Sequence, residues 1–375
     1  MSKIRYIAVH PLNDFSGSPR VLADFCASDE VQSHSLTVVT SGSNGFLYSG
    51  LGEMKTIWYG VSGSQLVNIF FFLCAQLQLF MSILWLIARS RLRRERVIVI
   101  NNTILCFGSI VASRLAGALA VSYLHELSTG HSWPQRLTRK IAERVIQFTA
   151  HEVLFVSQFL SDQYRLRYRQ RTVLPNGLRS DFAQVPHFDY DAKFANGNVL
   201  FVGSLRAYKG IDELLEIASA LPNTPFTGIF SSTNSELERF SRSISVPDNL
   251  TLIARAPDIE EKYREAFLVL NLSLPKVCVE GFALTILEGL STGCPCVVPL
   301  TGGHLDYFDE GAGIMLDARD TRAIVHFIEQ LQRDEPRWRG YSDRALEIAQ
   351  GYSAQIYQQR VGEFLREIQH RHFSP

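Results

Sequence analysis

The sequence predicts an α/β protein of two doubly wound, parallel-sheet domains facing each other across a cleft, and three observations carry that expectation. Short β-branched runs alternate with longer helical patterns along most of the 375 residues, the signature of β-α-β units whose sheet is covered on both faces. These runs fall into two series, separated by a polar stretch containing proline and glycine. At roughly 150 residues per domain, the length suits two to three domains.

The first series of strand candidates is Ile4–His10, Leu36–Thr40, Val97–Asn101, Ala120–Leu124, Glu152–Val156 and Arg171–Leu174. The second is Val199–Val202, Phe226–Phe230, Leu250–Ile253, Leu268–Leu272 and Cys296–Pro299. Between them, Ser180–Gly197 holds Pro186, Gly197 and several Asp and Asn residues, which is the composition of a linker. The expected organisation is a first domain over 1–180, a linker over 181–197, a second domain over 198–350, and a C-terminal helix over 351–375 packing back on the first domain. In such sheets, ligands bind beyond the carboxyl ends of the strands.

Composition removes several classes. At 46% hydrophobic and 20% charged the chain is an ordinary globular one, so wholesale disorder is excluded. The six cysteines form no C-x-x-C pair, which leaves a zinc ribbon or thioredoxin-type site nothing to stand on. Cys294 and Cys296 read as core residues, and no metal site is expected. The apolar run within Met1–Val9 is too short for a signal peptide, so a reduced, cytoplasmic protein is expected.

The formal net charge of zero hides an asymmetry. Residues 1–180 carry 19 Lys and Arg against 10 Asp and Glu, a balance of +9, and the remainder carries 18 against 27, a balance of −9. A basic half of that size faces something anionic, either nucleic acid or a phospholipid surface. The uncharged 23-residue stretch Leu66–Ala88, followed by Arg89, Arg91, Arg93, Arg94 and Arg96, bears on the choice. It is long enough to span a bilayer, yet it lies between two strands of what should be one sheet, and Asn68, Gln76 and Gln78 dilute it. A buried helix and an outer helix sunk in the headgroup region are the other readings. The five arginines favour the last, as membrane-facing cations. Because they adjoin an apolar helix and not interleaved aromatic residues, lipid is the expected partner and nucleic acid is not. The run Arg165, Arg167, Arg169 and Arg171 reads either as a solvated face or as part of the same basic patch.

The stretch richest in chemistry is Glu280–Gly293 (EGFALTILEGLSTG). A helix is expected over Phe282–Leu290, with the N–H groups of Gly281, Phe282, Ala283 and Leu284 pointing out of its start, an anion site suited to a pyrophosphate. Glu280 and Glu288 are carboxylates, so they suit hydroxyls rather than phosphates; the bland alternative is a helix-start carboxylate and a solvated one. His10 and His304 take no role from the sequence.

Two glutamates with seven residues between them, within E-G-F-x-L-x-x-L-E-x-x-x-x-G-x-P, resemble the donor site of the family 4 retaining glycosyltransferases, enzymes with two Rossmann-like domains in the fold called GT-B. Five further segments resemble the same family in order: Tyr123-Leu124-His125-Glu126 its H-D/E tip, Leu154-Phe155-Val156-Ser157 the strand before its V-x-P-N-G, Val173–Gly177 that V-x-P-N-G, Phe201–Leu205 with Lys209-Gly210 its phosphate-binding segment, and Gly302–Asp306 its G-G-x-x-E, while Ser16-Gly17-Ser18 stands where the family has Gly-Gly in its first loop. Ser204 stands where the family has Arg, with Arg206 two residues on, and Asp306 replaces Glu. The resemblance implies a metal-independent, retaining hexosyltransferase of the bacterial surface-polysaccharide or O-antigen type. It needs no cofactor, taking a nucleotide-diphosphate sugar as substrate and a lipid-linked glycan as acceptor, at the inner face of the membrane. It further implies that Glu288 binds ribose hydroxyls, that Lys209 with Arg206 binds the pyrophosphate, and that Glu280 and the backbone of Gly281, Phe282, Ala283 and Leu284 hold the sugar. Gly17 lets the backbone approach a phosphate, and His125 and Glu280 are the candidate catalytic residues. A non-catalytic glycan- or partner-binding protein and a nucleotide-sugar epimerase are the rival readings.

Overall fold

The computed structural model describes residues 3–60, 64–127, 133–164, 170–183 and 189–374. The chain divides into two compact units, Met1–Asn176 with Tyr357–Pro375, and Gly177–Ile356. Arg165, Arg167 and Arg169 lie outside the described residues.

The first unit is a seven-stranded parallel sheet of β1 (Ile4–Val9), β2 (Ser35–Ser41), β3 (Glu53–Ile57), β4 (Arg96–Asn101), β5 (Leu119–Leu124), β6 (Glu152–Phe155) and β7 (Arg171–Val173), in the order β3-β2-β1-β4-β5-β6-β7. β1 and β5 are buried at every position and β4 at all but Arg96, which is why they read as unbroken apolar runs rather than alternating ones. β3, at the edge, had no such run; its sequence EMKTI keeps only Ile57 buried. The long helix Gln65–Leu92 connects β3 to β4 and lays Leu79, Ile83, Leu86 and Ile87 against Ile7, Val9, Val97 and Val99 of the sheet.

The C-terminal helix Ala354–Phe373 packs on this unit. Gln369 Nε2 donates to Tyr6 Oη at 2.8 Å, and Arg371 and His372 each reach the carboxylate of buried Glu152 at 2.7 Å. Removing one partner of a buried ion pair leaves an uncompensated charge, at a cost of roughly 3–5 kcal/mol. Arg371→Ala should fall near the lower end, because His372 remains. A shift in the urea midpoint equivalent to about 3 kcal/mol is expected, and an unchanged midpoint would contradict it.

The second unit is a six-stranded parallel sheet of β8 (Val199–Gly203), β9 (Phe226–Phe230), β10 (Leu250–Ala254), β11 (Leu268–Leu270), β12 (Cys296–Val298) and β13 (Gly313–Met315), in the order β10-β9-β8-β11-β12-β13. Its core gathers Phe201, Phe230, Phe267 and Trp338, with Trp338 stacked on Phe267 at 5.7 Å and its indole N–H donating to Phe267 O at 2.9 Å.

The stretch 181–197, expected as a linker, is counted within this unit and contains the helix Tyr190–Asn196. Asp189 caps its start, accepting from the Asp191 and Ala192 amides, and Gly197 closes its end in the left-handed conformation. Lys193 is buried, and its ammonium is held by the carbonyls of Tyr263 and Thr292.

Candidate active site

In an open parallel sheet, the strand order reverses at one point, and the loops on either side of it splay apart to leave a crevice. The reversal falls between β1 and β4 in the first unit and between β8 and β11 in the second. The candidate residues emerge from these strands.

In the second unit, β8 runs out at Gly203 into the short 3-10 turn Ala207–Lys209. Gly210 follows at φ 81°, and a Cβ there would lie 2.3 Å from Leu272 O, so only glycine lets the turn close against β11's outgoing loop. The turn delivers the Lys209 ammonium onto Glu280 Oε1. Ser273 Oγ donates to the same oxygen at 2.9 Å. Burial alone would raise the Glu280 pKa, but Lys209 and Ser273 outweigh it and hold the carboxyl below its usual range. Burial likewise works against the Lys209 ammonium, and Glu280 more than offsets it, so the lysine stays charged. Arg206 is exposed.

The glycine-phenylalanine loop after Glu280 differs from expectation. Its helix begins at Leu284 and runs to Ser291, two residues later than the sequence suggested. Ala283 sits at φ 57°, left-handed, so it cannot be a helical residue; for a residue with a Cβ that conformation costs roughly 1–2 kcal/mol. Tyr307 holds it there, its hydroxyl 2.9 Å from both the Phe282 and Ala283 carbonyls. Gly281 and Phe282 are therefore loop residues, and the helix proper opens at Leu284, whose first N–H groups have no intrahelical acceptor. Glu288 is buried rather than solvated, and its carboxylate accepts from Tyr263 Oη at 3.0 Å. His304 is fully buried with Nε2 2.7 Å from Pro299 O, while its Nδ1 has no hydrogen-bond partner. Asn271 supports this corner, its Oδ1 accepting from the Ser273 amide and its Nδ2 donating to Thr285 Oγ1, each at 3.2 Å; the sequence missed Asn271, Ser273 and Tyr307 as supports, while Gly210 was named there as part of Lys209-Gly210.

In the first unit, the residues just past β1, β4 and β5 meet. His125 Nε2 is 2.7 Å from Asn102 Oδ1, an N–H donated to an amide oxygen. Asn102 Nδ2 donates to Ser18 O at 2.9 Å, and Asn102 O lies 3.0 Å from His10 Nδ1. Gly17, expected in a loop, is the first residue of the helix Gly17–Cys26, so Asn102 ties His125, His10 and the start of that helix together, a role nothing in its sequence setting announced. Burial pushes the His125 imidazole down to about 3, helped by His10. It also lowers His10 and His304, and with Arg114 brings His151 down to about 4. His125 is therefore neutral at physiological pH.

Stability should follow these shifts. The unfolded chain takes up protons on these histidines near pH 6.5, while the folded chain does not until much lower pH. The depressed Glu280 carboxyl acts in the same direction. Stability is therefore expected to be full above about pH 6.5 and to fall as the pH drops toward 4. A urea midpoint equal at pH 5 and pH 7.5 would contradict this.

Of the five expected membrane-facing arginines, three have partners within the unit: Arg89 with Glu53 at 3.6 Å, Arg91 with Gly117 O at 3.2 Å, and Arg96 with Phe373 O. Arg93 and Arg94 are exposed. Among the described residues no cluster of three or more His, Cys, Asp or Glu could hold a metal ion.

Two parallel Rossmann-like sheets, with His10, Asn102 and His125 beside one switch point and the Lys209–Glu280 pair beside the other, define the class, the GT-B fold, and comparisons place the chain within it. Anabaena HepE in complex with UDP-glucose superposes with a TM-score of 0.76 at 16% identity, over 97% of this chain and all of that one. WaaG, a glycosyltransferase involved in lipopolysaccharide biosynthesis, does so with a TM-score of 0.71 at 16% identity, over 96% and 99%. Residues 192–347 match the family model "Glycosyl transferases group 1", so the resemblance carried by the glutamate motif is borne out: the second unit is a group 1 glycosyl transferase domain. The lipopolysaccharide core biosynthesis mannosyltransferase LpsB of Rhizobium meliloti is 27% identical over 194 residues, 47% of this chain and 54% of that protein. The chain spans only 11–58% of the lengths of the curated relatives it matches.

Proposed function

We propose that this protein transfers a hexosyl group from a nucleotide-diphosphate sugar to a lipid-linked glycan, with retention of anomeric configuration, at the inner face of the membrane during surface-polysaccharide assembly. The observation that carries the reading is the Lys209–Glu280 pair at the β8/β11 switch point of a group 1 domain. The name of LpsB, a lipopolysaccharide core mannosyltransferase, supports the acceptor class, and the UDP-glucose complex of HepE supports a nucleotide-sugar donor.

In the reaction the bond from the anomeric carbon to the diphosphate breaks, and the acceptor hydroxyl oxygen bonds to that carbon on the same face. The acceptor proton leaves with the nucleoside diphosphate. Negative charge grows on the departing diphosphate, and fixed donors aimed at it lower the barrier. Lys209 supplies the cation, joined by Arg206, and the amides from Gly281 to Leu284 supply the dipoles. Glu280 holds sugar hydroxyls while keeping Lys209 charged, Glu288 takes the ribose, and His125, in the first unit, is the second catalytic candidate and acts in its neutral form.

On this reading the positive potential comes from Lys209 and not from a divalent ion, so transfer should survive EDTA. Loss with EDTA and rescue by Mn²⁺ or Mg²⁺ would contradict it. The anomeric proton coupling of the first-formed product, read by NMR, tests retention: it should match that of the donor sugar, and the opposite anomer would overturn the mechanism.

A further inference from the structure

We infer that the helix Gln65–Leu92 docks flat on an anionic lipid bilayer through a single stripe of side chains, while its opposite stripe stays in the protein core. The inference rests on the peripheral-membrane reading above and assigns it a face and an orientation. Among the described residues this is the one helix long and apolar enough to cross a membrane, over Val67–Leu92.

Two stripes stand out among its apolar residues, with Phe71, Phe72, Phe80 and Leu84 half-buried. Leu79, Ile83, Leu86 and Ile87 are at most 2% exposed and belong to the sheet's core. Phe70, Leu73, Leu77, Met81 and Trp85 are 51–65% exposed. The latter recur every three or four residues, so they form one straight stripe about 22 Å long at 1.5 Å per residue. Soluble monomers rarely leave so continuous an apolar strip in water.

The charges around it select the occupant. From residue 54 to residue 94 the chain holds Lys55, Arg89, Arg91, Arg93 and Arg94 and not one Asp or Glu. Lys55 Nζ lies 4.4 Å over the Trp85 ring and the Arg89 guanidinium 5.3 Å from it. Trp85 thus marks the end of the apolar stripe and the start of the cations, an amphipathic ring suited to headgroup depth. An apolar face edged by cations fits anionic lipid, with acyl chains meeting the stripe and phosphates meeting Lys55, Arg93 and Arg94. A crossing orientation would strip Leu79, Ile83 and Ile87 from the sheet. It would also part β3 from β4, which the helix joins within one sheet.

The test uses the full chain, vesicles of phosphatidylcholine with and without phosphatidylglycerol, and brominated lipids that quench tryptophan at known depth. Of the four tryptophans, Trp338 is buried in the other unit and Trp58 and Trp133 can be replaced by Phe, so Trp85→Phe identifies the Trp85 contribution. The protein should sediment with anionic vesicles at low salt and be partly released as salt rises. Trp85 emission should shift to the blue and be quenched. Leu73→Asp with Leu77→Asp, both exposed positions, should weaken binding at least about tenfold while leaving the thermal melt unchanged.

Vesicle binding with Trp85 unquenched and the Asp variant unaffected would overturn the assigned face and leave the peripheral reading standing. Absence of binding at every salt would overturn both. Resistance to carbonate extraction would overturn the flat orientation. A concentration-dependent dimer abolished by the Asp variant would assign the stripe to a second copy instead.

Discussion

Lys209→Ala is expected to lower kcat/KM for glycosyl transfer by a factor on the order of 10²–10³, the usual loss when one preorganised donor to a developing negative charge is removed. The lysine is held charged by Glu280, so the site meets the leaving diphosphate with its cation already formed. Glu280→Gln should also lower transfer, through the lost sugar contact and a less firmly placed ammonium. The two side chains are partly buried, so a change in folding must be separated from a change in chemistry. Lys209→Met combined with Glu280→Gln removes both charges and leaves neither unpaired, so the double variant should melt near the wild type while transferring as poorly as Lys209→Ala. For Glu288 the structure changes the choice of variant. Ala would strand the buried Tyr263 hydroxyl, whereas Glu288→Gln keeps an acceptor for it. Near-normal transfer by Lys209→Met and Glu280→Gln together would remove the donor assignment.

Asn102→Asp should give the protein an acid limb that the wild type lacks. Asn102 offers His125 a neutral amide oxygen, and the imidazole, at about 3, stays unprotonated through the working range. A carboxylate at the same distance favours the imidazolium and raises such a pKa by about 1–3, carrying it into the window of roughly pH 4–6. Below the new value, each pH unit should reduce transfer about tenfold if the neutral ring is the active form. The proton NMR titration of the His125 ring reports the shift directly, and Asn102→Gln, which keeps an amide, should not move it. A raised His125 pKa with an unchanged pH–rate profile would mean that the protonation state of His125 does not matter to the reaction.

How much of this could be read beforehand follows from which interactions are local. All eleven strand candidates are strands, because a parallel sheet buried on both faces leaves continuous apolar runs such as Val97-Ile98-Val99-Ile100. β3 and β13 escaped because each is an edge strand, one polar and one only three residues long. The helix Tyr190–Asn196 was hidden by its own caps: Asp189 and Gly197 read as linker composition, although a capping Asp and a closing Gly eight residues apart are also the marks of a short helix.

The candidate site was legible as a motif but not as a geometry. Lys209 and Glu280 are 71 residues apart, and Tyr307 reaches the Ala283 carbonyl across 24. No local pattern announces that Ala283 is left-handed, since that conformation is imposed by Tyr307. The alternative of a solvated Glu288 stayed open because its partner, Tyr263, lies on another helix. No local pattern marks Asn102, one residue past β4, and only the adjacency of β1, β4 and β5 places it between His10 and His125.

The central claim is that the loops leaving β8 and β11 in the second unit hold the nucleotide-diphosphate sugar. Hydrogen–deuterium exchange of the full chain in EDTA, with and without saturating UDP, GDP or ADP, tests it most directly. One of the three should slow exchange at the amides of Arg206–Gly210 and Gly281–Thr285, with the effect abolished in Lys209→Ala. Protection confined to other segments, or none with any of the three nucleotides, would contradict the account.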